Sequence, residues 1–326
     1  MATPTRTETL DNLFTVTWRN VKKKVVDQVF KITPLFNTLL EGGRIRENYN
    51  GGRFIDVPVR IAKADQNVKW FGRGDTFGVS EKEFLTQISY EMRYLGDSLV
   101  RYWQDDKVNR GPAQLLDYVM EKIDAHKATL VDALETAAFV ADPSGIGINS
   151  LGELIADDPT TGTVAGLNRA TYAWLRNQTT DGSGYTVATD LIPGMRTMLN
   201  TLSSYKSGVQ RKPDLIITTQ TIYEALEEIL ESMQQVQTID SPAASLGFGD
   251  ISYKHVPITW APACPTGKMY FLNTEHLRFT VDPTAYFDMG PWKELANSRD
   301  RVTQILTGCQ LTCDNFLKQG VIFDIP

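Results

Sequence analysis

The residues that could do chemistry in this 326-residue chain are three histidines, three cysteines and a few acidic pairs. His126, His255 and His276 are scattered. None stands in a spacing such as HExxH, which sets two imidazoles on one helix face toward a single metal ion. Cys309 and Cys313 lie on what reads as a strand. That spacing keeps both on one face but roughly 13 Å apart, too far for one metal or a disulfide. They read as small buried hydrophobes. With Cys264 they form no paired framework, as in a reducing compartment. Asp105-Asp106 and Asp157-Asp158 stand in turn-like sequence and read as solvated turn residues rather than an acid/base couple. There is no GxSxG elbow, no P-loop and no GxGxxG after a strand. The expectation is therefore no catalysis, no cofactor and no metal.

Bulk properties point the same way. The composition is globular, 42% hydrophobic and 22% charged, and the length allows one large or two ordinary domains. A net charge of −6 does not fit a nucleic-acid binder that works by overall charge. The start, MATPTRTETL, is polar and gives no signal peptide. No apolar run reaches the length of a membrane span. Lys22-Lys23-Lys24 fall in a helical pattern, Trp18 to Ile32, and read as a solvated face. Arg73-Gly74-Asp75 reads as a turn, not an adhesion motif.

With no chemistry to position, the elements themselves become informative. Gly111 to Val140 reads as one long helix, with Pro112 at a first helical position and Asp142-Pro143-Ser144-Gly145 as the stop. Its apolar face is Leu116, Met120, Ile123, Leu130, Leu134 and Ala138; Asp117, Glu121, Asp124, Asp132 and Glu135 take the polar positions. At 1.5 Å per residue it would span roughly 45 Å. Before it, the pattern has period two. Ile55, Val57, Val59 and Ile61 alternate with Asp56, Pro58 and Arg60, and Pro58 marks an edge strand. A return strand puts Phe84, Ile88, Tyr90, Met92 and Tyr94 on one side. The two make a hairpin from about Arg53 to Asp97, with a Gly-rich tip around Trp70 and Phe71. A two-stranded hairpin alone in water is marginal, so its apolar face must be covered by the body of the chain or by a second copy.

After the long helix, Leu151 to Gly184 reads largely as loop. It contains GLNRATYAWLRN, where Tyr172, Trp174 and Leu175 are apolar anchors. Arg169 and Arg176 are expected to pair with carboxylates or with the loop's own carbonyls. From Thr186 the chain reads as α/β. A helix capped by Thr189 or Asp190 runs to about Ser203, with Pro193 in its first turn. Then come a short buried strand at Pro213–Thr219, a helix opened by a Thr221–Glu224 capping box, and a loop at Ser241–Asp250. Strands follow near Ile251–Trp260, Lys268–Leu272, Leu277–Val281, Arg301–Cys313 and Gly320–Ile325.

The order of these parts resembles the major capsid proteins of tailed bacteriophages, with the Hong Kong phage-type fold. The segment GGRFIDVPVRIAKA…VKWFGRGD is similar to that family's extended loop, Gly166–Trp174 to a recurring segment of one branch, and TGCQLTCDNFLKQGVIF to its closing strands. The resemblance implies an α+β fold. It divides the chain into an N-terminal arm (1–45), an extended loop (46–104), a peripheral domain built on the long spine helix (105–185), an axial domain (186–285) and closing strands (286–326). It implies assembly into pentamers and hexamers of an icosahedral shell around double-stranded DNA, contacted non-specifically, in the virion. Implied partners are other copies, a separate scaffolding protein, a portal protein and, in some members, a decoration protein, with no membrane. The expected contacts between subunits are Ile55, Val57, Val59, Ile61, Trp70, Phe71, Phe84, Ile88, Tyr90 and Met92, and the loop anchors are Arg169, Tyr172, Trp174 and Arg176. Some members cross-link a Lys to an Asn; Lys63 or Lys69 and Asn315 are the residues here for those roles, but no matching Glu aligns. An encapsulin-type nanocompartment shell, and an unrelated soluble α/β enzyme, are the alternatives.

Overall fold

The computed structural model describes residues 34–41, 44–46, 51–61, 67–80, 84–108, 118–204, 212–234, 251–296 and 298–326. The expected helix at Trp18–Ile32, the arm before it and the Ser241–Asp250 loop lie outside them. In chain order the elements are α1 (Pro34–Glu41), β1 (Ile45–Arg46), β2 (Phe54–Arg60), β3 (Leu85–Glu91), β4 (Arg93–Arg101), α2 (Trp103–Val108), α3 (Tyr118–Phe139) and α4 (Leu151–Leu154). Then come β5 (Thr163–Val164), β6 (Leu167–Asn168), β7 (Gln178–Asp181), α5 (Val187–Ser204), β8 (Leu215–Thr218), α6 (Gln220–Gln234), β9 (Ser252–Tyr253), β10 (Val256–Trp260), β11 (Met269–Leu272) and β12 (Leu277–Val281). The chain closes with β13 (Asp288–Met289), β14 (Lys293–Glu294), β15 (Arg301–Cys313) and β16 (Gly320–Phe323).

Two sheets organise the molecule. In the first, β15 is the hub: it pairs with β12, β13 and β14 along one edge and with β4 along the other. Its sequence, RVTQILTGCQLTC, is rich in β-branched residues that pack well on a pleated surface. The second sheet runs β7-β16-β11-β8-β10-β9 and is mixed, with β8–β10 and β7–β16 parallel. All four residues of β8, Leu-Ile-Ile-Thr, are buried, because α5 and α6 pack on one face and the main core on the other. The two cores meet across this sheet: Leu215 and Ile217 point into the first, Ile216 into the second.

The spine helix α3 is continuous over its 22 described residues, about 33 Å, including Ala125–Thr129. Residues 112–117 are outside the described set. Ile123, Leu130, Leu134 and Ala138 are buried as the period required. Two positions differ from the sequence pattern. Met120 is 53% exposed, and Glu135, assigned to the polar face, is 2% exposed. Glu135 lies three residues before Ala138 on the same helical stripe, and α1 packs over it.

Two helix starts also differ. In α5, Asp190 is internal. The Thr186 carbonyl accepts from the amides of Thr189 and Asp190, and the Asp190 carboxylate accepts from the Thr186 amide at 2.9 Å. Pro193 therefore falls in the second turn, inside the helix. In α6 the expected box does not form. The helix opens at Gln220, and Glu224 accepts from the Gln220 side-chain amide at 2.7 Å. A box does occur at Ser150–Glu153, where the sequence had read loop.

Candidate functional site

The hairpin is the element that leaves the body of the chain. Strands β2 and β3 pair over seven residues, with Ile55 opposite Tyr90 and Val57 opposite Ile88. The Ile61 amide extends the ladder to Phe84 O at 2.9 Å. The hairpin stops at Met92 instead of Asp97. There the chain changes partner, and β4 joins β15 over nine residues. The inward side changes with it. Ile88, Tyr90 and Met92 are buried, then Leu99, while Tyr94 is 58% exposed. A one-residue shift in phase moves every later side chain to the other face.

The root of the hairpin is covered by its own chain. Ile55, Ile88, Tyr90 and Met92 belong to the main core, and Val57 and Val59 pack against it half-buried. The Tyr90 hydroxyl donates to Cys313 O at 2.6 Å and accepts from Cys313 N at 3.3 Å. Burial pushes that hydroxyl well above its ordinary range. The Gln310 side chain donates to Glu91 O at 2.6 Å, and its oxygen accepts from the Asn149 amide at 2.8 Å. The first half of the expected contact stripe is thus buried within the chain itself and tied to β15. Ile61 and Phe84, farther out, are only half-buried.

The tip is the opposite. Trp70 is fully exposed, Phe71 is 66% exposed, and Val68, Phe77 and Val79 are exposed with them. Their geometry is fixed from within. The Asn67 side chain donates to Ser80 O at 2.6 Å and accepts from the Ser80 hydroxyl at 2.9 Å, closing the neck of the loop. Phe71 and Phe77 meet edge to face at 5.1 Å. Asp75 accepts from the Gly72 amide at 2.9 Å, and Gly74 sits at φ +92°, a conformation glycine adopts without strain. Arg73-Gly74-Asp75 is accordingly a turn.

In the loop 166–177 Arg176 bonds the loop's own carbonyls, whereas Arg169 reaches carbonyls of helix α4 outside it. Arg169 is 2% exposed, and its Nη2 donates to Glu153 O and Leu154 O, each at 2.7 Å, at the C-terminal end of α4. Its guanidinium lies 5.9 Å from the Phe316 ring centroid. Arg176 donates to Arg169 O at 3.0 Å and Ala170 O at 2.8 Å. Trp174 is half-buried against the main core, Leu175 is fully buried, and Tyr172, 41% exposed, has its ring centroid 6.1 Å from that of Trp174. Lys69 lies in the tip and Asn315 precedes a 3-10 turn at 316–318, while Lys63 is outside the described residues. Among the described residues no three metal-ligating side chains come together. Cys264, Cys309 and Cys313 are free and buried, with the thiols of the first two pushed up to about 12. No described helix is long and apolar enough to cross a membrane.

Sequence reasoning missed Glu135 and Asn67. The first had a signal, its place beside Ala138 on the inner stripe. The second had none, because its partner is across a loop.

No sequence-family model and no curated relative matches the chain. Solved structures do, over nearly its whole length. The capsid asymmetric unit of cyanophage A-1(L) superposes with a TM-score of 0.68 at 19% identity, covering 94% of this chain and 96% of that one. The capsid of Myoviridae phage XM1 gives 0.60 at 11% identity, with 94% and 96% covered. The SrpI encapsulin of Synechococcus elongatus gives 0.57 at 11% identity, with 99% and 96% covered. At such identities the shared property is the fold. The chain has the mixed α+β Hong Kong phage-type fold, with a spine helix and a projecting hairpin.

Proposed function

We propose that the chain is the major capsid protein of a tailed phage, a structural subunit whose copies form the pentamers and hexamers of an icosahedral shell around double-stranded DNA. One observation carries this: a hairpin rooted in the core by buried side chains ends in a preformed tip that exposes Trp70, Phe71, Phe77 and Val79. A monomer rarely leaves such apolar groups wet, whereas a shell repeats one modest contact many times. In this proposal residues 1–45 are the arm, the hairpin through Met92 is the extended loop, and α3 with the β15 sheet is the peripheral domain. The second sheet with α5 and α6 is the axial domain, closed by residues up to 326. The subunit contacts are the tip with Val57, Val59, Ile61 and Phe84. A separate scaffolding protein, a portal and a decoration protein are the proposed partners, and the virion is the proposed location.

The full-length match to an encapsulin favours one other reading, a nanocompartment shell holding protein cargo. Electron microscopy of the purified chain, expressed alone and with its scaffold, tests both. Closed shells that take up DNA during infection are the expected result. Closed shells filled with protein and free of nucleic acid would establish the nanocompartment. Monomers under every condition would overturn both.

A further inference from the structure

One buried ionisable group belongs to neither the hairpin nor the pinned loop. Glu135 stands on the inner face of the spine helix, 2% exposed. Its Oε1 accepts from the backbone amide of Leu35 at 3.3 Å, in the first turn of α1, one hundred residues away. Its Oε2 is buried with no hydrogen-bond partner. The first-turn amides of a helix have no partner within the helix, so a carboxylate there is a cap supplied by another element. This cap is a polar link between α1 and α3. Leu35 and Leu39 are fully buried in the main core, and Phe36 packs edge to face on Phe279 of β12 at 4.8 Å.

We propose that Glu135 is a proton-operated latch: it fastens the N-terminal end of α1 to the spine helix, and α1 docks more tightly when the carboxylate takes up a proton.

Asp132, one turn earlier on α3, disfavours ionisation. From α1 the described side chains Leu35, Phe36, Thr38 and Leu39 carry no charge. On β12, Arg278 is directed to Asp314, at 3.8 Å. Arg44, which follows α1, donates its amide to Leu39 O, and its Nε is buried without a partner. Burial is the largest influence on Glu135 and outweighs the amides of Leu35 and Phe36, so the group rises from 4.5 to about 7. The sign follows from linkage. The docked state binds the proton more tightly than the undocked state, where the carboxylate is wet. Docking is therefore strongest below pH 4.5 and weakens as pH rises through about 7, by at most a few hundred-fold in equilibrium constant.

The test is hydrogen exchange of the α1 amides in the full chain, corrected for intrinsic rates, between pH 5.5 and pH 8. The opening equilibrium at Leu35, Phe36 and Leu39 should rise at least about ten-fold toward pH 8. Glu135→Gln, which keeps an acceptor and cannot ionise, should show no such rise. Lys293→Ala, a charge change on the exposed strand β14, should retain it. A flat wild-type profile, or the same slope in Glu135→Gln, would overturn the latch, as would loss of the slope in Lys293→Ala. If the Gln variant does not fold, 13C titration of the Glu135 carboxyl in the wild-type chain decides. A midpoint near 7 supports the latch and one near 4.5 sinks it.

Discussion

Tyr90 shows how much one polar atom can hold at a junction. Its hydroxyl serves both backbone groups of Cys313 and ties the hairpin root to the last residue of β15. Tyr90→Phe would leave a buried carbonyl and a buried amide short of a partner. The expected cost is about 1–3 kcal/mol, read as a lower urea midpoint at unchanged slope. A midpoint equal to wild type would mean that water replaces the hydroxyl. At this scale the sequence was legible wherever side-chain type and period agreed. Ile88, Tyr90, Leu130 and Leu134 went inside as their spacing required. It was illegible where a distant element supplied the partner. Glu135 is buried because α1 arrives over it, and Arg169 bonds carbonyls because α4 ends beside it.

At the scale of elements, the hairpin divides into a root and a tip with different fates on mutation. Ile88 is fully buried in the chain's own core. Ile88→Asp puts an unpaired charge there, at a cost of several kcal/mol, and should yield insoluble or unfolded chain. Trp70→Asp with Phe71→Asp alters only exposed positions. That variant should keep the wild-type circular dichroism and a thermal midpoint within a few degrees, yet, under the proposed capsid role, sediment as small species instead of shells. Normal shells from the tip variant would remove the tip from assembly. Soluble, folded Ile88→Asp would remove the root from the core. The period-two pattern revealed both strands and Pro58 at an edge, but not the end of the hairpin. Nothing in the local alternation of Tyr90, Met92 and Tyr94 marks the point where the return strand leaves β2 for β15, since that choice belongs to a partner two hundred residues away. Helix starts were misplaced for a nearer reason. Asp190 and Glu224 are good capping residues by type, and here each is bonded from a residue upstream of the expected start.

For the whole molecule, the three thiols are convenient witnesses. Cys264 lies near the second sheet, and Cys309 and Cys313 lie in the first, all buried with raised pKa values. In native buffer at pH 8 a thiol reagent should label them only slowly, and full denaturation should release all three. If both sheets unfold as one unit, the three should become reactive at the same denaturant concentration. Labelling of Cys264 well before the other two would show that the second sheet opens alone. The architecture as a whole was legible through a resemblance: a long hairpin, a spine helix, an α/β block and late strands in that order are similar to the Hong Kong phage-type fold. How the late strands are used was not legible, since sheet order is a long-range property.

That order has a consequence for synthesis. The hub of the first sheet is β15 and an interior strand of the second is β16, so both come from residues 301–323. A nascent chain ending at residue 300 contains the hairpin, the spine helix and the flanking strands of two sheets, but lacks β15 and β16. The hairpin root is also loose at that stage, because Tyr90 and Glu91 wait for Cys313 and Gln310. A chain ending before Gln310 therefore lacks both of these bonds at the hairpin root. The order of translation thus leaves the mounting of the tip to the last strands to be made.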